Sequence, residues 1–138
     1  MTDFDALQRA IGASLSSRQA EARACEACLT ALYQALRHAN GPGLPLNNVM
    51  MEPASDLFRS IKPAPLGSWH AAWFRLGLCE LRVQVRREGS DFVGEYGPSG
   101  HFRIHLLSEM EMLGLGREVL SQLIRLYDAD AQLSRLKN

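Results

Sequence analysis

Apolar and polar residues alternate one for one along two segments in the second half of the chain. Leu81, Val83 and Val85 interleave with Glu80, Arg82, Gln84 and Arg86, and Phe102, Ile104 and Leu106 interleave with His101, Arg103 and His105. A period of two is the mark of half-buried antiparallel strands, with one side on a core and the other toward water. Between them, Glu88-Gly89-Ser90-Asp91 and Gly97-Pro98-Ser99-Gly100 carry the residues of hairpin turns, so Phe92 to Tyr96 becomes the intervening strand. Trp69 to Leu78 fits a helical stripe through Trp69, Ala72, Trp73 and Leu76, and also a strand through Ala72, Phe74, Leu76 and Leu78. Its aromatic content and the strong strand that follows favour the strand, with Gly77 as a bulge or tight turn.

The period changes on either side of this region. Phe4, Leu7, Ile11 and Leu15 recur every three or four residues, which predicts a short amphipathic helix capped near Thr2 or Asp3. Gly12 and the serines at 14, 16 and 17 weaken that pattern, leaving open a kink, a turn or straight continuation. From Ser17 to Ala39 an Ala-rich stretch places Cys25, Cys28, Leu29, Leu32 and Leu36 along one face of a helix that stops at Asn40-Gly41-Pro42. Beyond the strands, Ser108 to Glu111 has the Ser-x-x-Glu form of a capping box. It opens a helical region whose apolar face is Leu113, Val119, Leu120, Leu123, Ile124 and Tyr127. Gly114 and Gly116 are expected to interrupt its first turn, and Asp128 or Asp130 to divide off a last short helix.

Gly41 to Gly67 holds five of the six prolines and reads as a crossing connection with at most one short helix, best placed at Ala54 to Ile61. Met50, Met51, Leu57 and Phe58 favour packing of this connection against the rest. A one-sided sheet needs cover, which the flanking helices supply. The predicted fold is therefore α+β: an antiparallel meander of three to four strands (about 69–107) covered on one side by N-terminal helices (about 3–39) and a C-terminal helical region (about 109–135). At 138 residues the chain suits a single domain. Its parts are helical 1–40, a Pro-rich connection 41–67, the sheet 68–107 and C-terminal helices 108–138.

With hydrophobic residues at 46% and charged residues at 22%, the composition is that of a folded protein rather than a disordered one. Lys plus Arg equals Asp plus Glu at 15 each, so any binding of nucleic acid or anionic lipid would need a local basic patch. No apolar run approaches the roughly 18 residues of a membrane span. An odd number of cysteines and no secretory pattern at the start suggest reduced thiols and a cytoplasmic, bacterial protein.

The polar side of the meander is the sharpest candidate site. Arg82, Gln84 and Arg86 with His101, Arg103 and His105 would make a basic face for an anion or an acidic partner, with Trp73 as a stacking surface. The plainer alternative is a solvated face on which Glu80, Glu88 and Glu95 pair with the arginines. His101 and His105 share a side, but the Arg between them and the shortage of further ligands argue against metal. Cys25-Glu-Ala-Cys28 has CxxC spacing, yet it sits inside a helix at the apolar face, where small core residues are the simpler reading. No GxGxxG, P-loop, GxSxG or HExxH is present. Carboxylate pairs such as Glu109 with Glu111, or Glu95 beside His101, would need a pocket to do acid-base work.

These features point to a small non-enzymatic binding or accessory protein acting on another protein, with no cofactor. A nucleic-acid or anion-binding module using the basic strand face is the alternative, and a small enzyme with a site between sheet and long loop is a second. The small residues of the 17–39 helix suit either packing within the chain or a homodimer seam.

Overall fold

A computed structural model of the chain describes residues 2–39, 49–53 and 63–136. The element order is α1 (Asp3–Ala39), β1 (Val49–Pro53), β2 (His70–Leu76), β3 (Cys79–Glu88), β4 (Asp91–Tyr96), β5 (Gly100–Ile104) and α2 (Glu109–Leu136). The strands form one sheet in the order β1-β2-β3-β4-β5, each antiparallel to its neighbours. The α+β meander is thus as expected, with one strand more. The extra strand is β1, which lies in the stretch expected to be only a connection; it pairs with β2 from Val49↔Leu76 to Pro53↔Ala72. Pro53 is accommodated because β1 is an edge strand. The expected short helix at Ala54 to Ile61 falls outside the described residues.

Two of the hairpins follow from glycine at the first turn position. Leu76↔Cys79 and Glu88↔Asp91 close two-residue loops, and Gly77 and Gly89 take φ of 62° and 60°. Positive φ at the first central residue is the type II′ arrangement, whose twist matches that of the strands. Gly77 is therefore the tight turn, and His70–Leu76 is a strand rather than a helix.

The helices are longer and simpler than the sequence suggested. Thr2 and Asp5 cap the start of α1 reciprocally: each backbone N–H donates to the other's side-chain oxygen at 3.2 Å. The helix then continues without a break past Gly12 and the serines to Ala39, since none of these removes a backbone donor as Pro would. In α2 the Ser108 hydroxyl accepts from Glu111 N–H at 3.2 Å, while the Glu111 carboxylate accepts from Leu106 N–H at 2.9 Å. Contrary to expectation, neither Gly114 and Gly116 nor Asp128 and Asp130 interrupt it. Gly116 is buried where α2 crosses α1, its α-carbon facing the Ala35 methyl, so helix packing offsets its weak propensity.

Both helices lie on one side of the sheet. Cys25, Cys28, Leu29, Leu32, Ala35 and Leu36 of α1 and Met112, Leu115 and Val119 of α2 are buried against Ala72, Phe74, Leu81, Val83, Val85, Phe92, Tyr96, Phe102 and Ile104. The face of the 17–39 helix that carries the CxxC pair is thereby used within the chain. Glu21 ties α1 to the approach to β2 by accepting from Gly67 N–H at 2.8 Å.

Candidate functional site

On the other side of the sheet no helix covers the strands among the described residues. Direct cross-strand partners point the same way, so the register fixes which side chains are neighbours. Glu52, Trp73 and Arg82 make one row across β1, β2 and β3. Ala71, Gln84, Glu95 and His101 make the next across β2 to β5, and Arg86, Val93 and Arg103 a third across β3 to β5. Trp73, Arg82, Gln84, Arg86, His101 and Arg103 therefore belong to this side, and His105, just past the end of β5, joins them through its contact with Asp91.

They do not sum to a free basic patch. Strand β4 lies between the Arg82–Arg86 group and the His101–His105 group, and it contributes Asp91 and Glu95. Gln84 Nε2 donates to Glu95 at 2.8 Å, and His101 Nδ1 stands 3.9 Å from the same carboxylate. Arg86 reaches Glu88 at 3.0 Å and also lies over the Trp69 ring, 5.4 Å from its centre. Arg103 bridges Glu88 at 3.2 Å and Asp91 at 2.7 Å, while His105 Nδ1 meets the second Asp91 oxygen at 2.8 Å. Hydrogen bonds from His105 and then Arg103 hold the Asp91 carboxyl below its ordinary value, and the bonds that Arg103 donates to Asp91 and then Glu88 raise Arg103 in turn. Arg75, outside the candidate group, stands 3.8 Å from Glu80.

The local pairing of Glu80, Glu88 and Glu95 with cations or amides is thus what the geometry shows. Arg82 is the exception: no carboxylate stands within ion-pair distance of it among the described residues. Its cross-strand neighbour is Trp73, whose residue is 46% exposed. Met50, 58% exposed on β1, extends this end of the sheet with apolar surface.

The helical side offers a different feature. A cavity of about 560 Å³ opens between the last turns of α1 and the start of α2, with Ala31, Ala35, Leu107, Met112 and Leu113 among its apolar lining and His38, Arg37 and Glu109 at the polar part. Ser108 also lines it, but its hydroxyl oxygen caps α2. The expected enzyme site between sheet and long connection falls largely outside the described residues, since only 49–53 and 63–67 of that connection are among them. Cys25 and Cys28 are buried free thiols, pushed up to about 11 and about 12, in both cases chiefly by burial. Among the described residues no group of three His, Cys, Asp or Glu side chains is placed to hold a metal ion, and no helix is long and apolar enough to cross a membrane.

Two features were missed from sequence. The first is the interposition of Asp91 and Glu95, visible only once β4 is recognised as having its own period of two, Asp91-Val93-Glu95. The second is that Phe4, Leu7, Ile11 and Leu15 form an exposed stripe with no cover among the described residues. Its signal was the length of the helix: α1 has 37 residues, about 55 Å at 1.5 Å each, against about 33 Å for the longest strand, β3.

No family model matches the chain, and no curated protein or solved structure is significantly similar to it.

Proposed function

We propose that the chain is a small non-enzymatic accessory protein that receives a partner protein on the uncovered side of its sheet, at Trp73 and Arg82. The observation that carries this reading is the pairing itself: a half-exposed tryptophan directly opposite an arginine that has no ion pair among the described residues, on a face whose other arginines stand beside carboxylates. Trp and Arg are the residue types that most often dominate binding energy at interfaces, and they do so inside a ring of polar contacts that contribute little. Here Gln84, Glu95 and the Asp91 network would supply that ring without ion pairs having to break. The three free thiols support a reducing, cytoplasmic setting.

The anion-binding alternative has less behind it, since Arg86 and Arg103 already hold carboxylates. Gentle purification from the natural host followed by native mass spectrometry should yield a complex with a second protein. Trp73→Ala and Arg82→Ala should each weaken that complex about tenfold or more with no change in melting temperature, whereas Met110→Ala, on the helical side, should not. A complex indifferent to Trp73 and Arg82, or bound nucleic acid lost steeply with salt, would overturn the proposal.

A further inference from the structure

The N-terminal part of α1 extends past the sheet with its apolar side bare. Phe4, Leu7, Ile11 and Leu15 are 67%, 53%, 42% and 38% exposed. Their face is the same one that packs on the sheet further along: Phe4, Ile11, Arg18, Cys25 and Leu32 follow one another at seven-residue steps, and the last two are fully buried. Seven-residue spacing is the repeat that keeps one face of a helix against a neighbouring helix. Phe4 to Leu15 thus has the pattern of a helix seam, at a place where the chain itself provides no second helix among the described residues.

The pattern is also symmetric. About Ile11, the positions at −7, −4, +4 and +7 are Phe4, Leu7, Leu15 and Arg18. We infer that a second copy of this chain occupies the stripe, through antiparallel pairing of the two α1 helices about a twofold axis at Ile11. A twofold interface must be self-complementary, and this one is. Ile11 meets the Ile11 of the other copy, and Leu7 meets Leu15. Phe4 lies on the stem of Arg18, whose guanidinium is then beside Asp3 in the first turn of the other helix. No described side chain forms an ion pair with Arg18 within the chain. A parallel pairing would set Asp3 on Asp3 and Arg18 on Arg18, so charge selects the antiparallel arrangement.

Residues 3–18 extend about 24 Å. A patch of this kind exposes on the order of a few hundred Å², the size that marks an interaction surface. A contact confined to it falls at the small end of specific interfaces, below about 1,200 Å² in total, so the dimer is concentration-dependent. The seam lies on residues distinct from Trp73 and Arg82, and either proposal stands if the other fails.

Sedimentation equilibrium of the full chain tests the inference, over roughly 1 µM to 1 mM, the range of dissociation constants for weak contacts. The average mass should climb toward twice the 15.3 kDa of one chain. Ile11→Glu should hold it at one chain with unchanged far-ultraviolet circular dichroism, because Ile11 is exposed and not part of the hydrophobic core. Arg18→Glu should likewise dissociate the dimer, and Asp3→Lys added to it should restore association. For orientation, Leu7→Cys and Leu15→Cys, each made with Cys79→Ser, should form a disulfide across copies when mixed and none when oxidised separately. A single-chain mass at every concentration, a dimer that survives Ile11→Glu, or a disulfide formed by Leu7→Cys alone would overturn it.

Discussion

Gly94→Ala is expected to be among the most damaging single-methyl additions in this protein, for a reason unrelated to glycine's backbone freedom. Gly94 does not adopt a positive φ, so alanine meets no conformational objection. The obstacle is Phe102, its cross-strand partner, whose ring lies flat over the Gly94 α-carbon so that an added Cβ would overlap Cζ, Cε1 and Cε2. The Phe102 ring is buried and stacks with Tyr96 at 6.4 Å between centres, so it has little room to retreat. Forcing extra volume into such a site costs about 1–3 kcal/mol. Expelling the ring altogether sets a ceiling of about 3–5 kcal/mol, the cost of Phe→Ala in a core. We expect about 2–4 kcal/mol, which for a chain of this length lowers the melting temperature by roughly 5–15 °C. Urea denaturation of the wild type, Gly94→Ala, Phe102→Ala and the double variant forms the decisive cycle. Without the ring the added methyl should be nearly neutral, leaving a coupling energy of about 2 kcal/mol or more. An equal cost for Gly94→Ala in both backgrounds would refute the argument that the ring is what excludes a side chain there.

Three further outcomes follow from the same structure. Gly12 and Gly114 lie in helix interiors with nothing within 4 Å of an added Cβ, so Gly12→Ala and Gly114→Ala should each stabilise by about 0.5–1 kcal/mol in urea melts; destabilisation at either would show that the glycine serves a contact beyond the described chain. Thiol labelling in mild alkali should modify Cys79 in the native protein, while Cys25 and Cys28, buried and shifted up to about 11 and about 12, should react only on unfolding. Rapid native labelling of all three would contradict the packing of α1. The lowered Asp91 carboxyl implies stability that is present above its unfolded value near about 3.9 and lost as pH falls through the folded value below that. Asp91→Asn should therefore be less stable than wild type at neutral pH and equal to it in strong acid. A gap independent of pH would mean that Asp91 acts through packing rather than charge.

The strands of the meander were legible because each carries its own record of burial. Leu81, Val83 and Val85 alternate with polar residues, and the turn glycines at 77, 89 and 97 mark where the chain reverses. Strand β1 was not legible, because Val49-Met50-Met51-Glu52-Pro53 sits among prolines and has no alternation beyond chance; its strand conformation comes from pairing with β2. Helix continuity was misjudged at Gly116 because propensity is local, whereas the Ala35 methyl that makes a small residue useful there arrives from the other helix. For the candidate site, the sides of the side chains could be read from parity, but not their neighbours. Whether Arg103 faces Asp91 or Arg86 depends on which strand lies between, and that is a property of the register.

The same register explains how a chain with equal numbers of positive and negative residues arranges them. Arginines on the open face are matched at short range, Arg103 by Glu88 and Asp91 and Arg86 by Glu88, while the imidazoles of His101 and His105 stand beside Glu95 and Asp91. Such exposed pairs contribute little stability individually. On the proposed reading their effect is on specificity: a face whose charges are matched pair by pair offers little long-range attraction or repulsion, so affinity for a partner would come from the places left unmatched. On the sheet the proposed place is Arg82 beside Trp73, and on α1 it is Arg18 beside the exposed apolar stripe. In both, an arginine with no ion pair among the described residues adjoins exposed hydrophobic surface, the combination in which its stem can pack while its guanidinium takes a carboxylate from outside. Replacing Arg82 or Arg18 by Lys, which keeps the charge but loses the planar fork, should therefore weaken the corresponding contact, though less than Ala does. Full retention of binding with Lys would show that charge alone is recognised.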